Sequence, residues 1–117
     1  MYKRQTLNYE QIEIWGDGSV VRDYIYIEDV CEMIGSLINY NGKEEVFNLS
    51  SNQGISLNDV IEKMKKFGLK PDVVYKEARS VDVPKVILDN HKIAHIHEFK
   101  IRSFDEGLKL YIDYLRK

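Results

Sequence analysis

Several marks of specialised protein classes are missing from this chain. Its 117 residues include a single cysteine, Cys31, which excludes an intramolecular disulfide. No apolar run approaches the roughly 18 residues that a membrane-spanning helix requires. The N-terminus lacks the apolar core of a signal peptide, so no membrane partner is expected and the cytoplasm is the expected location. Neither sign of charge is in excess: 17 basic residues stand against 19 acidic ones, a formal net charge of -2. That balance argues against nucleic acid as a partner. The cluster Lys63, Lys65 and Lys66 reads instead as the solvated face of a helix. Three histidines, His91, His95 and His97, have no cysteine near them, and Asp89 and Glu98 have local explanations, so no metal site is expected. Cys31 lies in an apolar helix stripe and reads as a buried small residue, not a nucleophile. Ser and His occur without a motif that would assemble a catalytic triad.

What is present is enough for one small domain spanning residues 1–117. Hydrophobic residues make up 44% and charged residues 31%, which allows a modest core. The most informative stretch runs from Ile14 to Val30: a strand, a Gly16-Asp17-Gly18 turn, a second strand opening Arg22-Asp23-Tyr24, then an acidic helix start. Along a strand, side chains alternate. Arg22, Tyr24 and Tyr26 should point one way, Ile25 and Ile27 the other. A guanidinium beside aromatic rings suits an anionic ligand that carries a flat ring.

Spacing and capping residues supply the remaining elements. Residues 2–8 are helix-compatible and lead into a strand over residues 12–15. Residues 29–40 read as a helix with Val30, Met33, Ile34, Leu37 and Ile38 on its apolar stripe, Asp29 and Glu32 as a capping box, and Asn41-Gly42 at its end. A short strand is expected over 46–49. Ser56 should cap a helix over 57–67 that stops at Gly68, and Pro71 should precede a strand over 72–75. Asp89 is placed to cap a short helix from Asn90. Ser103 and Glu106 form a capping box for a last helix over 104–116, burying Leu108, Tyr111, Ile112 and Leu115. The expected fold class is α+β: short strands beginning near Ile12, Arg22, Val46 and Val73, with about four helices.

The stretch from Ile14 to Val30 resembles the extended short-chain dehydrogenase/reductases, the NAD-dependent nucleotide-sugar epimerases and dehydratases, UDP-glucose 4-epimerase among them. Similar patterns continue in Phe47-Asn48-Leu49, Ser56-Leu57, Arg79-Ser80-Val81-Asp82-Val83-Pro84 with Asp89 and Lys92, and Ser103-Phe104-Asp105-Glu106-Gly107-Leu108. The loop departs from the family at Ser80 and Val81, where Pro and Gly are usual. The resemblance covers essentially the whole chain and implies the C-terminal, substrate-binding part of such an enzyme, with Met1 falling inside an element. It implies roles for five residues. Trp15 and the backbone of Glu13 would lie beside the nucleotide base, Arg22 on the diphosphate, Arg79 on diphosphate or ribose, and Asp82 on a ribose hydroxyl. Asp29 and Asp89 read as helix caps, not catalytic acids.

Two family requirements are not met by this sequence. The glycines at 16, 18, 35, 42, 54, 68 and 107 never form the Gly-rich turn on which NAD's pyrophosphate rests, and no tyrosine has a lysine four residues later. The expectation is a nucleotide-diphosphate-sugar-binding portion, UDP-linked by the similarity to UDP-hexose 4-epimerases while dTDP- and GDP-sugar enzymes share much of the pattern, that holds no NAD and is inactive by itself, the Rossmann core lying outside it. The strand over 46–49 would join that core, and without it self-association through an exposed edge is expected. A free-standing nucleotide-sugar-binding or regulatory module, or a structural remnant without ligand, are the alternatives.

Overall fold

In the computed structural model, which describes residues 11–117, the elements run β1 (Gln11–Trp15), β2 (Val21–Asp23), α1 (Ile27–Leu37), β3 (Gly54–Ser56), α2 (Leu57–Lys66), β4 (Asp72–Lys76), α3 (His91–Ala94) and α4 (Phe104–Leu115). The helix expected over residues 2–8 lies outside the described residues. Among those described there are thus four helices and short strands, as an α+β reading requires. No described helix is long and apolar enough to cross a membrane.

Alternation fixes β1: Ile12 and Ile14 are buried, while Gln11, Glu13 and Trp15 face out. The strand pairs in parallel with β4, Ile12 opposite Val73 and Ile14 opposite Tyr75. The core gathers Ile12 and Ile14 with Val60, Ile61 and Met64 of α2, Leu69, and Leu108 and Ile112 of α4. At the start of α2 the Ser56 hydroxyl accepts from the Asp59 amide at 3.1 Å, as expected. Its end is a Schellman turn: Gly68 takes a φ of +85° and the Leu69 N–H reaches the Met64 carbonyl at 3.1 Å. The Ser103–Glu106 capping box of α4 is also formed. Asp89 accepts the His91 amide at 2.9 Å, although Asn90 occupies the cap position of α3.

Other expectations are overturned. The helix α1 begins at Ile27 and ends at Leu37, with Tyr26 at its N-cap and no side-chain cap bond. Asp29 is therefore not a cap, and the Asp29–Glu32 box does not form. Its carboxylate, 3% exposed, accepts from the Arg102 guanidinium at 2.6 Å and the Arg102 amide at 3.0 Å. A buried carboxylate needs such partners. Cys31 is exposed, not buried: α1 turns Met33 inward, and two positions is about 200° around a helix. Ile34 and Ile38 are exposed with it.

No strand forms over 46–49, and Val46 is exposed. Side chains tie this region to the chain near Asp89 instead: Asn48 Nδ2 donates to the Asp89 carbonyl at 3.1 Å and Ser50 Oγ to the Leu88 carbonyl at 2.9 Å. A strand requires a backbone ladder, and no described segment offers one here. The strand that the sequence reading missed is β3, antiparallel to β2 with Arg22 opposite Ile55. Because β2 stops at Asp23, strict alternation does not carry through Tyr24 and Tyr26. Tyr24 packs edge-on against Phe104 instead, ring centroids 5.5 Å apart.

Candidate functional site

The Gly16-Asp17-Gly18 turn joins β1 to β2 and is built for close approach. Both glycines have positive φ, +101° and +82°. Asp17 Oδ1 accepts from the Ser19 amide at 3.0 Å and from its hydroxyl, and these bonds hold the Asp17 carboxyl below its ordinary pKa. The turn rests on the start of α2: the Asn58 amide donates to the Gly18 carbonyl and the Leu57 amide to that of Val20. Two donors that a helix start leaves unpaired are thereby satisfied, and the end of β1 is fixed against β2.

Beside this turn runs the loop over 77–84. Arg79 Nη2 and Nε meet the two oxygens of Asp82 at 2.9 and 3.2 Å, a forked ion pair. The same guanidinium lies over the Trp15 ring, 5.7 Å from its centroid. Arg22 Nη1 donates to the Val83 carbonyl at 2.7 Å and to that of Val21 at 2.8 Å. Backbone bonds hold the loop's end to β2, from the Val21 amide to the Pro84 carbonyl and from the Val86 amide to the Val21 carbonyl. Trp15, Arg22, Arg79 and Asp82 are thus gathered about one loop. Glu13 shares the outward face of β1 with Trp15.

Chemically the arrangement offers two guanidiniums, a half-exposed indole and a carboxylate. Guanidiniums fork onto phosphate oxygens, an indole accepts a stacked ring, and a carboxylate accepts from hydroxyls. Of the two rings expected beside Arg22, Tyr26 lies under another arginine and Tyr24 packs on Phe104. Arg79 takes Trp15, while Arg102 lies over Tyr26 at 5.3 Å and pairs with Asp29 and Glu28. That second arginine borders a separate cavity of about 210 Å³ lined by Tyr24, Tyr26, Phe104 and Tyr111. Its guanidinium already faces two carboxylates, so the cavity is a poorer anion site than the loop.

One residue that sequence reasoning passed over supports the site from beneath. Asp23 Oδ1 accepts the amide and hydroxyl of Ser51 at 2.9 and 2.7 Å, and Oδ2 accepts the amides of Asn52 and Leu88 at 3.0 and 3.2 Å. The signal was available, since alternation sends Asp23 to the face opposite Arg22. No group of three or more His, Cys, Asp or Glu among the described residues could hold a metal ion. The Gly16–Gly18 turn is not the Gly-rich turn that seats a pyrophosphate on a helix start, because it leads into a strand.

Residues 1–50 match the model of the NAD dependent epimerase/dehydratase family. A trifunctional UDP-glucose 4,6-dehydratase/UDP-4-keto-6-deoxy-D-glucose 3,5-epimerase/UDP-4-keto-L-rhamnose-reductase of Arabidopsis thaliana is 30% identical over 106 residues, 88% of this chain and 16% of that protein. The UDP-glucose 4-epimerase of Thermotoga maritima, solved with UDP-glucose, superposes with a TM-score of 0.86 at 35% identity, covering 98% of this chain and 38% of its own. MoeE5, solved with UDP-glucuronic acid and NAD, gives 0.86 at 29% identity, covering 98% and 40%. The chain spans 16–36% of the first curated relatives and about two fifths of these solved ones.

Proposed function

We propose, for a chain that sequence and fold mark as a relative of the NAD-dependent epimerases/dehydratases, that it forms the nucleotide-diphosphate-sugar-binding portion of such an enzyme. UDP is the nucleotide that the resemblance to UDP-hexose 4-epimerases favours. The observation that carries this reading is the convergence of Arg22, Arg79, Asp82 and Trp15 on one loop. The Thermotoga maritima relative, solved with UDP-glucose, favours the same ligand class.

On this reading the diphosphate draws the Arg22 guanidinium from the Val83 carbonyl, exchanging a neutral acceptor for an anionic one. Arg79 exchanges Asp82 for a phosphate oxygen, which frees the carboxylate to accept from a ribose hydroxyl. The indole of Trp15, uncovered as Arg79 turns, offers its face to the base, with the Glu13 backbone alongside. These residues bind and orient. They move no hydride, and with neither a Gly-rich turn nor a Tyr-x-x-x-Lys pair the chain is inactive alone. The Gly-rich, Tyr-x-x-x-Lys-bearing Rossmann portion would supply NAD and the proton-transfer pair.

An NMR titration of the chain with UDP-glucose tests the proposal, with NAD and an Arg22→Ala variant as controls. Saturable shifts at Trp15, Arg22 and Arg79, lost in the variant and absent with NAD, are the expected result. Shifts of equal size in the variant would refute the role given to Arg22.

A further inference from the structure

The histidines of α3 were set aside on sequence because no third ligand accompanies them. The structure adds a geometry that spacing alone did not give. Nε2 of His91 and Nε2 of His95 lie 3.0 Å apart, with the ring centroids 4.5 Å apart and the planes nearly perpendicular. Residues four apart share a helix face, and here that face is fixed by its opposite. Ile93, midway between them, is buried, and both histidines are exposed. The start of the helix is held by Asp89 on the His91 amide. Lys92, whose ammonium would repel a cation, is drawn to Glu44 at 3.1 Å.

A spacing of 3.0 Å is what two nitrogens on a single ion would show. With metal–nitrogen bonds of about 2.0–2.1 Å, adjacent ligands stand about 2.9 Å apart at a right angle and about 3.3 Å apart at the tetrahedral angle. We infer that His91 and His95 form a two-imidazole site for an imidazole-preferring divalent ion of the Zn²⁺, Ni²⁺ or Cu²⁺ class. In the metal-free pair one Nε2–H donates to the other Nε2. On binding, that proton moves to Nδ1 of its own ring, so both neutral imidazoles present an Nε2 lone pair. The described residues contribute no third His, Cys, Asp or Glu side chain, and water completes the coordination. A cleft of about 200 Å³ beside His91, lined also by Val46, Asn48, Asp89 and Lys92, gives that water room. The ion is therefore exchangeable and not structural, and the site is independent of the nucleotide-sugar reading.

The test is calorimetry with ZnCl₂ and with NiCl₂ on the whole chain, on His91→Ala and on His95→Ala, with imidazole ¹H–¹⁵N spectra alongside. Both side chains are exposed, and circular dichroism checks that each variant folds. One ion per chain is expected, weakened at least about tenfold by either substitution, as loss even of an outer-shell partner can do. Both Nε2 resonances should move together as the metal is added. Binding unchanged in either single variant, or Nε2 resonances that stay in place at saturating metal, would overturn the inference.

Discussion

Removing the Asp23 carboxylate should loosen the candidate site more than any substitution on its surface. Four donors converge on its two oxygens from three residues in two segments of the chain: Ser51 (amide and hydroxyl), Asn52 and Leu88. Asp23 pairs with Gly54 of β3, while Val21, at the other end of β2, is bonded to Pro84 and Val86. The carboxylate thus pins the loop after Ser50 and the strand-like run over 84–88 to the element that carries Arg22. A hydrogen bond to a charged group contributes about 1.5–3 kcal/mol, but the donors of Asn52 and Leu88 are exposed and water can replace the acceptor. Ser51, 8% exposed, keeps its two donors away from water. The expected cost of Asp23→Ala is therefore about 2–4 kcal/mol, dominated by Ser51.

For a domain of this length that corresponds to a melting point lower by roughly 8–16 °C. Asp23→Asn separates charge from shape. Whichever way the amide is turned, its NH₂ faces a backbone N–H, that of Ser51 or those of Asn52 and Leu88, so only part of the loss is recovered. Thermal melts give the magnitude, and hydrogen exchange at the amides of Ser51, Asn52 and Leu88 gives the location. A cost below about 0.5 kcal/mol, the range of ordinary surface changes, with those three amides still protected, would refute the reasoning.

Lys63 at 2.6 Å, with Lys66 at 2.9 Å, holds the Asp105 carboxyl below its ordinary pKa. The unfolded chain then takes up this proton first as pH falls, so the contribution is full above the ordinary carboxylate value and lost as pH drops through the depressed folded one. Urea midpoints over that acid range should fall less steeply in Asp105→Asn, by under about 1 kcal/mol because the group is partly exposed, and an identical slope would contradict the pairing. Gly18→Ala should cost about 1–3 kcal/mol, since φ is +82° and the new methyl would meet the Asn58 side chain, which bonds both the Asp17 carbonyl and the Tyr75 hydroxyl. A melt at or above that of the unsubstituted chain would show that the turn relaxes freely.

Legibility in the sequence followed the range of the interactions. Local signals read well: the strand over 12–15, the Ser56 cap, the Gly68 stop and the Ser103–Glu106 box all depend on residues within a few positions of one another. Contacts across many residues did not. Asp29 looked like a cap because nothing in sequence announces Arg102, 73 positions later, and a charged partner holds a buried carboxylate more firmly than a free amide. Residues 46–49 have strand composition, yet composition does not supply a ladder partner, and Asn48 and Ser50 found backbone acceptors near Asp89 instead. At the site, the family resemblance named Glu13, Trp15, Arg22, Arg79 and Asp82, but nothing local announced that Arg79 would lie on Trp15 and close on Asp82.

That closure decides how the proposed site would bind. Two nitrogens of the Arg79 fork already meet the two oxygens of one anion, Asp82, so a phosphate taking the place of Asp82 exchanges one charge-assisted pair for another of similar strength. Such an exposed pair contributes only about 0–1 kcal/mol, which makes it easy to open and unrewarding to replace. Arg22 differs. Its Nη1 rests on two neutral carbonyls, and a diphosphate would convert a neutral acceptor into a charged one, roughly doubling the strength of the bond. The net gain on binding therefore concentrates at Arg22, while Arg79 and Asp82 govern access to Trp15 and the fit of the ribose. For this reason Arg22→Ala, and not Arg79→Ala, is the informative variant in the UDP-glucose titration.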